Sequence, residues 1–173
     1  MRLLRHLVLA LSVAVPLSLT PAAWAESRGP WSDVASSDFS VPAGARCPFA
    51  LSSTVLSDDE QIRTLSTFED GTPRTQKVVG QLIVRLTNED TGASVERNLT
   101  GNGIFTWRAD GTLQELALQG GHFAAGLQPT DPEGPAFLVF TGAGHAVSFA
   151  PDGTRTVTRG SGPVENICTT LAG

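Results

Sequence analysis

A chain of 173 residues that is 40% hydrophobic and 17% charged has the composition of a folded domain, which excludes a disordered or low-complexity polymer. Its formal charge of −5 repels phosphate groups and argues against nucleic acid or an anionic membrane surface as partner. Two cysteines are too few for a disulfide-dense scaffold, and the absence of tyrosine removes a residue common in binding sites.

The first residues have the form of an export signal. Arg2 and Arg5 supply charge, Leu7 to Leu19 is apolar apart from Ser12, Pro16 and Ser18, and Ala23-Trp24-Ala25 gives the small-x-small pattern of a cleavage site. Residues 1–25 are therefore expected to be a signal peptide cut between Ala25 and Glu26, with the remainder secreted to the extracellular side. A membrane-spanning helix needs about 20 apolar residues. This run is shorter and broken by Pro16, so no membrane association is expected after cleavage. From Glu26 to Arg46 no period is sustained and Trp31 and Phe39 stand isolated, so residues 26–46 read as a flexible leader.

Residues 47–173 read as one domain bracketed by its cysteines. In an oxidising compartment two cysteines have a single intramolecular pairing, Cys47–Cys168. Beyond Cys47 the text alternates, most clearly from Val79 to Thr87, where Leu82, Val84 and Leu86 fall on one face. Strands are expected over 49–56, 63–69, 79–87, 93–99, 103–108, 112–119, 136–141, 145–149 and 154–159. Asn88 to Gly92 supplies a hairpin turn. Ser57-Asp58-Asp59-Glu60 reads as a cap for one helical turn, and its charges as a solvated run.

Asp-Gly-Thr occurs three times, at Asp70, Asp110 and Asp152, each shortly after an aromatic residue. Asp-Gly is a strong hairpin signal of the type I′ class. Three such turns also raise a three-fold repeat, although the flanking sequences do not align. A meander of about eight strands manages its edges best by closing on itself. Bridged cysteines require Cα atoms within about 7 Å, so closure and the terminal disulfide support one another. The expected fold is all-β, a single antiparallel up-and-down β-barrel of about eight strands closed by the disulfide, with a β-trefoil or β-sandwich as alternatives.

Several motifs fall in a recognisable order: Cys47-Pro48-Phe49, Phe68-Glu69-Asp70-Gly71, Leu86 to Gly92 with its Asn-x-Asp-Thr-Gly turn, Asn98 to Gly103, Asp110-Gly111-Thr112, and Val164-Glu165-Asn166-Ile167-Cys168. In that order the stretch from Cys47 to Leu171 resembles small secreted β-domain proteins of actinobacteria. Asn102 departs from the pattern, which has proline there. The resemblance implies an exported β domain and brings no activity with it.

Chemistry-bearing clusters are sparse. His122 and His145, even with Asp131 or Glu133, lack short ligand spacing, so no metal or other cofactor is expected. Gly160-Ser161-Gly162 lacks the strand-turn-helix context of a nucleophile, no glycine-rich phosphate loop is present, and the acidic pairs belong to turns. Asn98-Leu99-Thr100 is a glycosylation sequon only where the export pathway carries the transferase. No catalytic residue is therefore assigned. Phe105, Trp107, Phe123, Phe137, Phe140 and Phe149 are placed to line or fill an interior. Phe105, Trp107, His122, Phe137 and His145 are the candidate ligand-binding residues. The expected function is a non-enzymatic binding or surface-interaction module for a small apolar ligand or a surface partner. The alternatives are a small barrel enzyme of isomerase or cyclase type with a hydrophobic cavity, and a carbohydrate-binding trefoil.

Overall fold

A computed structural model of the chain describes Gly29–Gly173, and the expected signal peptide lies outside the described residues. The strands are β1 (Ser32–Val34), β2 (Phe39–Val41), β3 (Leu51–Thr67), β4 (Pro73–Asn88), β5 (Ser94–Asn98), β6 (Gly101–Trp107), β7 (Leu113–Leu127), β8 (Ala136–Thr141), β9 (Ala146–Phe149), β10 (Arg155–Thr158) and β11 (Val164–Asn166). One helical turn, α1 (Ile167–Thr170), follows, with the Asn166 side chain accepting from the Cys168 N–H at its start. No described helix is long and apolar enough to cross a membrane.

Two long strands organise the rest. β3 and β4 pair from Leu51 opposite Asn88 to Thr67 opposite Pro73. β3 therefore joins two stretches expected as separate strands, and the Ser57–Glu60 segment expected to cap a helical turn lies mid-strand. Ser57–Glu60 pair residue by residue with Gly80–Ile83 of β4, and that ladder holds the segment extended in place of a helical turn. A register shift between Val55 and Ser57 absorbs one extra residue and leaves Leu56 exposed. The register sets Val55, Asp58 and Glu60 opposite Val84, Leu82 and Gly80 of β4.

The long strands also change partners midway. β4 pairs with β6 from Thr75 to Gly80 and with β5 from Ile83 to Thr87, while β7 pairs with β6 up to Gly121 and with β8 from His122 onward. The change falls on a row of glycines. Gly80 stands opposite Gly101 and Gly101 opposite Gly121, whose carbonyl accepts from the Gly142 N–H at 2.8 Å. A side chain on Gly142 would in turn meet Ser161 and Gly162. Glycine in a strand marks a bend or a close approach of backbones, and here five of them mark the line along which the sheet folds.

Folded along that line, the sheet does not close into a barrel. Its strands run β1-β3-β4-β6-β7-β8-β11, with β2 beside β3, β5 beside β4, and β9 and β10 beyond β7, and the edge strands β1 and β11 do not pair. Among the described residues eleven strands stand where about eight were expected. The two ends of the domain meet through the Cys47–Cys168 disulfide, Cα to Cα 5.1 Å, and through side-chain packing instead of a backbone ladder. Leu51, Val84, Leu86 and Leu99 pack against Phe137, Val139, Ile167 and Leu171 around the bridge. The other face of β8 packs Ala136, Leu138 and Phe140 against Leu118, Leu127 and Val147. β8 is thus buried on both faces, which accounts for its uninterrupted run of apolar residues.

The three Asp-Gly-Thr turns share one geometry. In each, the glycine N–H bonds the carbonyl three residues back and the residue before the loop donates to the threonine carbonyl, as from Phe68 to Thr72 at 2.8 Å. Positive φ occurs only at the glycine, +86° at Gly71, so these are type I turns closed by a left-handed glycine and not the type I′ turns expected. The aspartate accepts from the threonine N–H two residues on in each. Because β3–β4, β6–β7 and β9–β10 are neighbouring hairpins, the turns stand in a row at one end of one sheet. A trefoil would set them about a three-fold axis, so that alternative is not the fold.

The segment expected as a flexible leader is built into the sheet from Gly29 on, and residues 29–41 form a strap along β3. Ser32 and Val34 pair with Ile62 and Glu60, and Phe39 and Val41 pair with Ser53 and Leu51. Between these pairs the Ser36 N–H donates to Asp58 (2.6 Å), the Ser36 hydroxyl to Glu60 (2.8 Å), and the Val55 N–H to Asp38 (2.7 Å). Arg63 lies 4.6 Å from the centre of the Trp31 ring. Strands of three residues are too short to show a period, which is why the sequence reads as irregular.

Opposite the strap, Arg97 of β5 makes a two-point ion pair with Glu165 of β11 at 2.6 and 2.7 Å, tying the two layers together. The Arg97 guanidinium holds the Glu165 carboxyl below its ordinary range; burial opposes it, and the Thr170 hydroxyl adds a smaller lowering of its own. A carboxyl lowered in the folded state stabilises above its unfolded pKa, and the contribution disappears as pH falls through the folded value. Glu165→Gln is expected to cost about 1 kcal/mol at pH 7, as befits a partly exposed pair with good geometry. The difference from the parent should shrink on acidification through the carboxylate range, as read by urea denaturation at several pH values.

Candidate ligand-binding cavity

The fold in the sheet leaves a cavity of about 420 Å³ between the strap, the β3–β4 hairpin, β6, β7 and β8. The residues that open this space are local consequences of the glycine row. Gly101 and Gly103 present no side chain to it, and Phe105 follows on the same face of β6. β4 contributes Val78, Leu82 and Val84, β7 contributes Leu116, Leu118, Phe123 and Ala124, and β8 contributes Phe137. The strap supplies the remaining wall through Val34, Ser36, Ser37 and Phe39, and Phe39 reaches across to Phe137 with ring centres 5.7 Å apart. Val34 and Phe39 remain more than a third exposed, so apolar surface of the strap continues from the cavity to the outside.

Besides Ser36 and Ser37 of the strap, the polar residues Glu60, His122, Asn102 and Ser53 line this space. Glu60 projects from β3 with one carboxylate oxygen held by Ser36; burial first, and nearby Asp58 as well, push its carboxyl above the ordinary range, and the Ser36 hydrogen bond opposes them. His122 shares a hydrogen bond between Nδ1 and the Thr141 hydroxyl at 3.0 Å, which leaves Nε2 without a partner among the described residues. Asn102 donates to the Gly120 carbonyl at 3.3 Å and keeps its side-chain oxygen for other use. Ser53 is also buried at the cavity wall.

Of the five candidate binding residues, the structure brings Phe105, His122 and Phe137 together in this cavity. Trp107 is not among them. A register shift between Thr106 and Trp107 turns it out of line with Phe105, and it lines a separate groove with Thr72, Pro73, Gln76 and Arg108 at the hairpin tips. Its ring stands edge-on to Phe105 with centres 6.1 Å apart. His145 is fully buried in the core. Its Nδ1 accepts from the Gly160 N–H (3.0 Å) and its Nε2 faces the carbonyls of Ser161 (3.0 Å) and Thr141 (3.2 Å), an arrangement that places the ring proton on Nε2 and fixes a loop.

The acidic residues considered with the histidines serve the fold. Asp131 accepts backbone N–H groups of Gln128 and Arg155, and Glu133 pairs with Arg159 at 2.6 Å. Among the described residues no three His, Cys, Asp or Glu side chains gather as metal ligands. Glu60, Ser36 and Phe39 are the functional candidates that sequence reasoning missed. A signal for Glu60 existed: in Asp58-Asp59-Glu60 a strand period sends Asp58 and Glu60 to one face and exposes Asp59. Comparison with known protein families, characterised proteins and solved structures finds no match to this chain.

Proposed function

We propose that the protein is an exported, non-enzymatic binding module that holds a small, largely apolar ligand in the cavity beneath the strap. One observation carries this reading: a space of about 420 Å³, walled by aliphatic and aromatic side chains from both layers and entered by few polar groups, persists where a filled core would otherwise stand. Ligand sites are of this size and make-up, in the range of about 300–1,000 Å³. Export agrees with the terminal disulfide, since such bonds persist in oxidising compartments. The expected result of titrating the protein with N-phenyl-1-naphthylamine, a neutral apolar fluorophore, is saturable binding at one site. Ala124→Leu, which adds a branched side chain to the cavity wall, should weaken that binding about tenfold while the far-ultraviolet circular dichroism stays that of the parent. Unsaturable binding, or an unchanged affinity in the variant, would contradict the proposal.

A second reading, an enzyme of isomerase or cyclase type, draws on the presence of both Glu60 and His122 in the same cavity. It requires that a bound molecule be converted. Mass spectrometry of a bound ligand recovered unchanged after prolonged incubation with the protein counts against it.

A further inference from the structure

We infer that the cavity selects apolar amines, seated with the ammonium group against Glu60, over carboxylates of the same length. The inference rests on the binding-module reading above and assigns the chemical class of its ligand. Among the described residues that line the cavity Glu60 is the one carboxylate, and none is a lysine or arginine. One of its carboxylate oxygens accepts from Ser36, and the other has no partner among the described residues. Asp58, which accepts from the Ser36 N–H and from the Glu60 N–H (3.0 Å), sets a second negative charge beside it. A half-buried carboxylate with no cation beside it carries part of the cost of desolvation, and an ammonium group brought to it offsets that cost through a charge-assisted hydrogen bond. A ligand carboxylate would instead become a third negative charge in a space of low polarity, where repulsion is little screened.

The remainder of the wall suits the rest of such a molecule. Phe105, Phe123 and Phe137 offer ring faces and edges to an apolar body, and rings near an ammonium group add attraction to the cation. His122 Nε2 and the Asn102 side-chain oxygen leave room for a further hydrogen bond away from the acid. An alcohol of the same length fills the same space without using the charge, which makes it the reference for the argument.

Calorimetric titration of the protein at pH 7 with decylamine, decanol and decanoate, each below its micellar concentration, tests the inference. The amine is expected to bind at least about tenfold more tightly than the alcohol, a margin typical of one hydrogen bond to a charged group, and decanoate most weakly. Glu60→Gln should remove the preference for the amine, so that on the variant itself decylamine binds within about threefold of decanol. Decanoate equal to or tighter than decylamine, or an amine affinity untouched by Glu60→Gln, would overturn the inference. Decanol binding with no advantage for the amine overturns it while the binding-module reading stands. If none of the three binds, both readings fall together.

Discussion

Gly121→Ala is expected to destabilise the protein by about 3–5 kcal/mol, the sum of a left-handed conformation imposed on a residue with a side chain and an overpacked contact. Gly121 has φ +90°, and a Cβ there would lie 2.6 Å from both the Gly101 Cα and the Thr100 carbonyl oxygen. Neither neighbour is a flexible side chain that could move aside, because both are backbone atoms, one in the first residue of the paired strand β6 and the other in the residue before it. The informative control is Gly111→Ala. Gly111 has φ +81° but nothing within 4 Å of the added atom, so its cost is conformational alone, about 1–2 kcal/mol. Equal losses for the two variants in urea denaturation would mean that the glycine row is not a site of close backbone contact, and the account of why the sheet folds there would fail.

Removing the bridge is expected to have the other large effect. Cys47→Ala/Cys168→Ala releases a link across 121 residues, for which loop-closure entropy gives a loss of about 4–5 kcal/mol. That is a large share of the roughly 5–15 kcal/mol by which domains are stable. No hydrogen-bonded ladder joins the two ends of the sheet directly, so the bridge, the Arg97–Glu165 pair, the hydrogen bond from the Asn88 amide to the Leu171 carbonyl and the packing around Leu51 and Ile167 hold those ends against each other. Neither cysteine lines the cavity. The variant should therefore melt at a lower temperature than the parent yet bind the neutral fluorophore with similar affinity while folded. An unchanged melting temperature would show that the packing alone closes the domain.

Much of the fold could be read along the chain because strand alternation and turn chemistry are local. The stretch Val79–Thr87 lies within β4, Ala93–Leu99 and Gly103–Arg108 overlap β5 and β6 with ends differing by one or two residues, and Cys47 meets Cys168. What could not be read depends on residues far apart. Closure of the sheet is decided at β1 and β11, whose failure to pair leaves no mark on either sequence. The strap escaped notice because three-residue strands carry no period, and Asp58 and Glu60 passed for a solvated run because their partner Ser36 lies in that strap. One long-range signal was present in a form that motif comparison missed. Gly80, Gly101, Gly121, Gly142 and Gly162 recur every 20 or 21 residues, half the interval between the Asp-Gly-Thr turns, so the repeated feature is the bend and the turn, with the residues between free to differ.

The cavity follows from the same geometry. Glycines allow the strands to fold, the fold sets Phe105 and His122 opposite Phe137, and the strap with Phe39 and Ser36 covers the gap that an unclosed sheet would leave at β3. The three candidate residues meet there because Phe105 and His122 follow the bend glycines of β6 and β7 and Phe137 precedes the one that ends β8, whereas Trp107 and His145 are diverted by a bulge and by a loop carbonyl pair. A crystal structure of the protein grown with N-phenyl-1-naphthylamine tests this most directly. The expected result is the fluorophore seated between Phe105, Phe123 and Phe137 beneath Phe39 of the strap. Phe39 and Phe105 collapsed into the space, with the fluorophore absent or bound elsewhere, would contradict it.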